Sequence, residues 1–207
     1  MIQDIDTNIV YISDKLKNRK GTKDFYDNLL DLFRELNIHH EIIKDCTDFW
    51  VRDFMPIQIN DEDFLKYEYS PDYLHINEQY EKYITDPTEA CKKIGIKYRT
   101  TDIVIDGGNV VLCGDKVVMT QKVFTANNKK VYDADFLNEL EKVFGHKVII
   151  IPWEPSAELT ENYEKNGDDV YGHSDGLIKY CGDNRILMSN YRDDKEEIAI
   201  EIRQRLV

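Results

Sequence analysis

Three segments of the chain carry hydrophobic residues at the spacing of an amphipathic helix. The first runs from about Lys23 to Leu36 and the second from about Ala134 to Phe144, between Asp133 as a predicted cap and Gly145 as a predicted stop. The third starts at Asp193 and Glu196 and continues to the last residue. The residues expected on the apolar faces of the first and third helices are Phe25, Leu29, Leu32, Phe33 and Leu36, then Ile198, Ile202 and Leu206.

Short runs of β-branched, aliphatic and aromatic residues predict strands between these helices. The predicted strands are Ile9 to Ile12, Glu41 to Lys44, Pro56 to Ile59, Phe64 to Tyr69, Asp102 to Ile105, Asn109 to Cys113, Lys116 to Met119, Lys147 to Ile151, Gly176 to Tyr180 and Arg185 to Met188. The sequences VVLC-GD-KVVM and IKYC-GDN-RILM predict hairpins with Gly-Asp turns. The stretch from Ser70 to Gly95 is predicted to be a surface excursion with a short helix near Glu89 to Lys93.

The order of these elements indicates a loose internal repeat of a hairpin, a helix and a further strand. This order predicts an α/β protein with residues 1–207 in a single domain. No strand follows the third helix, so we expect the sequence to stop inside a larger architecture.

Composition narrows the classes of partner. Lys and Arg number 27 against 40 Asp and Glu, which gives a net charge of −13, so nucleic acid and anionic membrane surfaces are unsuitable partners and cationic ligands are favoured. The N-terminus MIQDIDTNIVYISDK is acidic where a signal peptide is basic, which favours a cytoplasmic location. Cys46, Cys91, Cys113 and Cys181 lie far apart without a CxxC spacing, so no disulfide framework or zinc ribbon is predicted.

Three short polar clusters follow predicted strands or precede them: WVRD at Trp50 to Asp53, DGGN at Asp106 to Asn109, and GHSD at Gly172 to Asp175. An extended GHSD segment would place His173 and Asp175 on one face. Each cluster alone is also compatible with an ordinary turn or surface loop.

A metal site is a weaker interpretation of GHSD. A two-histidine, one-carboxylate site would need a histidine beyond His173, and the other histidines, His39, His40, His75 and His146, all precede it. Neither a Walker loop nor a GxGxxG motif occurs. No metal and no cofactor are therefore expected.

Taken together and in order, FWVRDFMP, DGGNVV and GHSDGLIKY resemble the motifs of the guanidine-modifying enzymes, specifically agmatine deiminase and the bacterial-type peptidylarginine deiminases. The resemblance spans roughly Asp48 to Tyr180. It implies a pentein-type α/β-propeller of repeated ββαβ-like modules, incomplete at the C-terminus. It also implies hydrolysis of a guanidinium group, converting agmatine to N-carbamoylputrescine or peptidyl arginine to citrulline through a covalent thiouronium intermediate.

The resemblance also implies roles for individual residues. Asp53 and Asp175 would bind the substrate guanidinium, and His173 would be the general acid and base. Asp106 would orient the histidine or share the guanidinium, with Trp50 and Asn109 as further substrate contacts. A guanidinium is planar, forked and permanently cationic, so carboxylates are the side chains suited to hold it.

The sequence departs from the family pattern at its nucleophile. The family carries a cysteine in a Gly-rich segment near the C-terminus, whereas no cysteine follows Cys181 here. Met55 also replaces a family glycine, and Asp106 is shorter than the glutamate of agmatine deiminase. We therefore expect the 207-residue chain to be inactive as it stands.

Three interpretations stay open. The first is hydrolytic deimination of a small cationic guanidinium or an arginine-containing peptide, the second is non-catalytic binding of a guanidinium, and the third is a globular fragment without a ligand. The sequence does not determine whether the substrate is agmatine, arginine or peptidyl arginine. It also does not determine whether the protein is a monomer or a homodimer.

Overall fold

Each of the ten predicted strands and each of the three predicted long helices has a counterpart among the described residues. In the computed structural model the described residues are 1–44, 46–153, 172–188 and 196–206. The strands are β1 Val10–Ser13, β2 His40–Ile43, β3 Ile57–Gln58, β4 Phe64–Glu68, β5 Tyr98–Val104, β6 Val111–Cys113, β7 Lys116–Thr120, β8 Lys147–Ile151, β9 Ile178–Tyr180 and β10 Ile186–Met188. The helices are α1 Lys15–Asn18, α2 Lys23–Glu35, α3 Val51–Phe54, α4 Asp72–His75, α5 Glu78–Glu81, α6 Thr88–Ile94, α7 Lys122–Ala126, α8 Ala134–Phe144 and α9 Glu196–Leu206.

The described strands form four small sheets, of which the two three-stranded ones share one pattern. In β3-β4-β5 and in β6-β7-β8 the first two strands are antiparallel and the third lies parallel to the second, after intervening helices. The β1-β2 pair is parallel with α1 and α2 between its strands, and β9-β10 is an antiparallel hairpin. The fold is therefore a mixed α/β arrangement of related units, and both predicted hairpins are confirmed.

The sheet β6-β7-β8 is buried on both faces. Val117 and Met119 of β7 face the larger core with α8, whereas Val118 between them faces a second core that includes Ile202 of α9. Side chains alternate between faces along a strand, so a strand covered on both sides needs a continuous apolar sequence. This requirement explains the runs VVM and VIII in β7 and β8.

The predicted apolar face of the first helix is only partly buried. Tyr26 and Phe33 of α2 are buried against β1 and β2, whereas Phe25, Leu32 and Leu36 are exposed. The two described strands under α2 cover only the Tyr26 and Phe33 side of its broad apolar arc.

The helix α8 begins and ends as predicted. The Asp133 side chain accepts a hydrogen bond from Phe136 N, and Gly145 adopts a left-handed φ of 69°.

Two local expectations are wrong. The residues of WVRD form the one-turn helix α3 instead of a loop, and Ser174–Gly176 form a 3₁₀ turn instead of an extended segment. Gly107–Asn109 form a 3₁₀ turn, which agrees with the turn interpretation of DGGN. The excursion from Ser70 to Gly95 contains α4, α5 and α6, and it buries Ala90 and Cys91. Asp193, the expected start of the last helix, lies outside the described residues.

Arg52 joins two of these turns. Its guanidinium donates to the carbonyl oxygens of Gly107 at 3.3 Å and Val110 at 2.7 Å, and it pairs with Asp4 at 3.3 Å. The planar fork suits two separate acceptors, which a lysine ammonium would reach less well.

Among the helices of the described ranges, none has the length and apolar composition that a membrane span needs.

Replacing Ile202 tests the docking of α9. Ile202 is fully buried, whereas Ile200 on the same helix is 42% exposed. We expect Ile202→Ala to lower the free energy of unfolding by about 2–4 kcal/mol because it removes buried methyl groups and leaves a cavity. The control Ile200→Ala should change it by less than about 0.5 kcal/mol in urea unfolding. Equal effects of the two variants would show that α9 does not pack as described.

Replacing Arg52 tests the connection between the turns. Arg52→Met removes the side-chain donor from both carbonyl oxygens, although Val110 N still donates to the oxygen of Gly107. The free energy of unfolding should therefore fall by about 1–2 kcal/mol. Arg34→Met is the matched control, because Arg34 is exposed and pairs only with its helix neighbour Asp31 among the described residues; it should cost less than about 0.5 kcal/mol. A loss no larger for Arg52 than for Arg34 would contradict the connection.

Candidate active site

The three polar clusters of the sequence meet in the folded chain. Asp53 comes from α3, Asp106 follows β5, and His173 precedes the 3₁₀ turn Ser174–Gly176. The turn Gly107–Asn109 contacts both α3 and the turn that follows His173. Segments that are far apart in sequence thus place two carboxylates and one imidazole side by side.

Glycine makes this close approach feasible. A Cβ on Gly108 would lie 2.6 Å from His173 Nδ1 and 2.7 Å from Asp53 Oδ1, and a Cβ on Gly107 would lie 2.0 Å from Arg52 O. These distances are shorter than any carbon contact tolerates, so the DGGN cluster needs both glycines for packing. The freed space lets Gly108 N donate a hydrogen bond to Asp53 Oδ1 at 3.0 Å.

His173 lies between two carboxylates. Its Nδ1 is 3.7 Å from Asp53 Oδ1, and its Nε2 is 3.3 Å from Asp106 Oδ2. The side chains of His173, Asp53 and Asp106 are 13%, 10% and 5% exposed, so the group is largely desolvated but open on the side of Asp53 and His173. The ring of Tyr73 meets the imidazole edge-on, with centroids 6.3 Å apart.

Asp106 also pairs with a buried lysine. Lys122 Nζ donates to Asp106 Oδ2 at 2.9 Å, the same oxygen that faces His173. The other oxygen, Oδ1, is buried and has no hydrogen-bond partner among the described residues. The known contacts of this carboxylate are therefore concentrated on one atom.

The two aspartates titrate in opposite directions. Burial raises the pKa of Asp53 to about 6, against a lowering effect of His173 and with further raising effects of Asp106 and Asp175. Burial would also raise the pKa of Asp106, but the hydrogen bond from His173 and the charge of Lys122 outweigh it, so this pKa is lowered. Burial likewise disfavours a charged His173, yet the hydrogen bond with Asp106 and the charge of Asp53 raise its pKa overall.

The other predicted site residues lie around this group. Asp175 is exposed on the turn after His173, where its charge acts on Asp53. Asn109 is buried, and its amide oxygen accepts a hydrogen bond from Thr120 N at 2.8 Å, which ties the DGGN turn to β7. Trp50 is 57% exposed and contacts Phe49, with ring centroids 4.8 Å apart. Because His173 and Asp175 sit on a turn, the extended spacing argument for this pair is wrong.

Sequence reasoning missed three residues of the site, namely Lys122, Asp72 and Tyr73. Lys122 is the charged residue in the otherwise weakly polar run VVMTQKVFTA, and a lysine so placed is a sign of a buried partner. Asp72 and Tyr73 belong to α4, in the stretch that its tyrosine and charge content predicted to be plain surface. Composition gives no signal that α4 folds back onto His173.

The cysteines occupy other parts of the protein. Cys46 and Cys91 belong to the larger core, and Cys113 lies in the second core with Val111 and Val118. Burial raises the pKa of the Cys91 and Cys113 thiols to about 11, which keeps them neutral at pH 7. Cys181 is exposed after β9, where its Sγ lies 3.7 Å from the carbonyl oxygen of Lys179.

Solved structures of guanidine-modifying enzymes share the fold. A structure described as a candidate peptidyl-arginine deiminase matches with a TM-score of 0.64 and 14% identity, over 96% of this chain and 68% of that one. The agmatine deiminase of C. jejuni matches with a TM-score of 0.61 and 14% identity, over 95% and 66%. A dimethylarginine dimethylaminohydrolase matches with a TM-score of 0.51 and 11% identity, over 97% and 74%.

The chain thus spans about two thirds of the length of the two deiminase structures that it matches. A search of curated protein sequences finds no match. The sequence pattern of one known family does match, and it covers residues 7–206, which include all three polar clusters. On this match, the chain belongs to the Porphyromonas-type peptidyl-arginine deiminase family.

Proposed function

We propose that this chain binds a guanidinium group and, in the manner of its family, takes part in its hydrolytic deimination. The observation that carries the proposal is the convergence of Asp53, Asp106 and His173 in one largely desolvated group. A planar cation would find carboxylate acceptors there, beside a proton-transfer group.

In this proposal the two aspartates have separate roles. Asp53 retains some exposure, so it is the carboxylate that holds the guanidinium, together with the exposed Asp175. Asp106 is already paired with Lys122 and His173, so it orients the imidazole. The exposed ring of Trp50 would stack on the incoming cation, and Asn109 would border the site from the DGGN turn.

His173 is proposed as the general acid and base. Its imidazole is oriented by a carboxylate on one nitrogen and faces the proposed guanidinium-binding Asp53 with the other. In deimination a nucleophile attacks the guanidinium carbon, a proton goes to the departing ammonia, and water then resolves the covalent thiouronium intermediate. An imidazole that exchanges a proton near neutral pH suits both proton transfers.

The relatives suggest the substrate class. Agmatine is the substrate that the C. jejuni enzyme's description indicates, and peptidyl arginine is the one indicated by the family description. We propose these two as the candidates for this chain. We also infer that its ββαβ-like units are modules of an α/β-propeller, which is supported by the repeated strand pattern of β3-β4-β5 and β6-β7-β8.

A second function is favoured by the cysteines. A covalent mechanism needs a thiolate at the guanidinium carbon, whereas three of the cysteines are buried in hydrophobic cores. A site that retains the carboxylates without a neighbouring thiol would bind a guanidinium without hydrolysing it. This non-catalytic guanidinium-binding module is the alternative to the deiminase.

Ligand binding and ammonia release separate these functions. We expect agmatine or an arginine peptide to raise the melting temperature of the protein. Asp53→Asn should weaken the affinity of the protein for these ligands about ten-fold or more, because the carboxylate charge is lost. Asp61→Asn removes the same charge from an exposed position and should leave the affinity unchanged. Ammonia release would identify a deiminase, and binding without release would identify the binding module. Absence of binding by all these guanidinium compounds would contradict both.

The affinity should also depend on pH. Asp53 is neutral below its pKa of about 6 and ionised above it, and His173 loses its positive charge as pH rises. Both changes favour a cation, so the Kd for agmatine should fall as pH increases from 5 to 7.5, while the guanidinium itself stays charged. In Asp53→Asn this dependence should be weaker, as measured by calorimetry. A Kd that is constant or rises over this range would contradict the role of Asp53.

A further inference from the structure

Lys122 is the most deeply buried cation described in the site. Its side chain is 3% exposed, and its Nζ lies 2.9 Å from Asp106 Oδ2 and 3.1 Å from Asp72 Oδ1. The ammonium sits 4.7 Å from the centroid of the Tyr73 ring and 6.0 Å from that of Trp153. Lysine is rarely buried without partners, so two carboxylates and an aromatic face account for its position.

The surrounding backbone is shaped around this side chain. Gly172 has a φ of 65°, and a Cβ there would lie 2.8 Å from Lys122 Cδ and from the Trp153 ring. The residue before His173 therefore packs directly on the Lys122 stem. Lys122 connects the segments that supply Asp72, Asp106 and His173.

Lys122 and His173 use the same oxygen of Asp106. Lys122 Nζ donates to Oδ2 at 2.9 Å, and His173 Nε2 lies 3.3 Å from the same atom. A carboxylate oxygen that is already bound to an ammonium is a weaker partner for an imidazolium, because the nearby positive charge opposes a second one. The ammonium and the imidazolium therefore compete for one atom.

We propose that Lys122 is a positioning residue. By sharing Oδ2 of Asp106, its ammonium limits how tightly His173 holds its proton. Asp72 reduces this effect because it draws the ammonium away from Asp106. The catalytic meaning of this arrangement rests on the proposed function, in which His173 must release its proton as well as hold it. The electrostatic arrangement itself does not depend on any substrate.

Among the described residues, these charged and titratable groups face His173 and enter this balance. Asp53 faces it from α3, Asp106 from the end of β5, Lys122 from α7 and Tyr73 from α4, with Asp175 on its own turn. Asp53 and Asp106 favour the imidazolium, and Lys122 opposes it. Asp72 touches Lys122 from α4, and its side chain is 57% exposed.

The proposal gives opposite signs for two substitutions. Lys122→Met removes the competing ammonium, so the pKa of His173 should rise. Asp72→Asn takes one carboxylate away from Lys122, so Asp106 should hold the ammonium more strongly, and the substitution also removes one negative charge. The pKa of His173 should therefore fall. Lys122→Arg keeps the positive charge, so its pKa of His173 should differ less from that of the unchanged protein than the value in Lys122→Met does.

The measurement is an NMR titration of the histidine rings in the full chain without ligand. The five histidines are distinguished by His173→Gln, in which the resonance of His173 disappears. Asp61→Asn serves as the control for loss of one exposed charge, and it should not move the midpoint of His173. Where the chain releases ammonia, the acidic limb of its pH profile should move in the same two directions.

The proposal is supported if the titration midpoint of His173 rises in Lys122→Met and falls in Asp72→Asn. Unchanged midpoints in both folded variants, or shifts of the same sign, would overturn it and leave Lys122 with a structural role only. If Lys122→Met does not fold, the test depends on Asp72→Asn, which replaces an exposed residue. An unchanged or raised midpoint of His173 in that variant overturns the proposal. A guanidinium that fails to bind while both shifts occur would reject the proposed function and retain this inference.

Discussion

One buried carboxylate, Asp106, is the constraint around which the candidate site is organised. Taking a carboxylate out of water is costly unless charges and hydrogen-bond donors compensate, and here Lys122 and His173 do so through a single oxygen. This compensation fixes the imidazole ring, whose other nitrogen then faces Asp53. Asp53 has no lysine of its own among its described contacts, so burial leaves its charge less well compensated, and the two aspartates differ in acidity.

The fold supplies this arrangement from short turns next to strands. The hairpin, helix and parallel strand recur in two of the sheets, and in β6-β7-β8 they bury apolar side chains on both faces of β7 and β8. At the turns the backbone must pass very close to other groups, which the glycines of DGGN permit and the Arg52 guanidinium secures. Hydrophobic packing thus determines where the turns stand, and the polar contacts determine how they face each other.

Much of this could be predicted from the sequence, because helices such as α8 and hairpins such as β6-β7 are encoded by local periodicity, caps and turn residues. The motifs likewise indicated Asp53, Asp106 and His173 as neighbours. The partners that arrive from elsewhere could not be predicted: Lys122 and Tyr73 reach the site through the long-range packing of α7 and α4. The exposed side of α2 was missed for the same reason, since hydrophobic spacing marks an apolar arc without saying how much of it a neighbour covers.

The claim on which this account depends is that Asp53 and Asp106 flank one imidazole in a desolvated group. The most direct measurement is the titration of the Asp53 carboxyl carbon by NMR in protein labelled at aspartate, with Asp53→Asn to identify its resonance. The account predicts a midpoint at a pKa of about 6, and a higher one when His173→Gln removes the positive ring that favours the carboxylate. A midpoint near 3.8, unchanged by His173→Gln, would show that Asp53 is solvated and apart from the histidine, and would contradict the account.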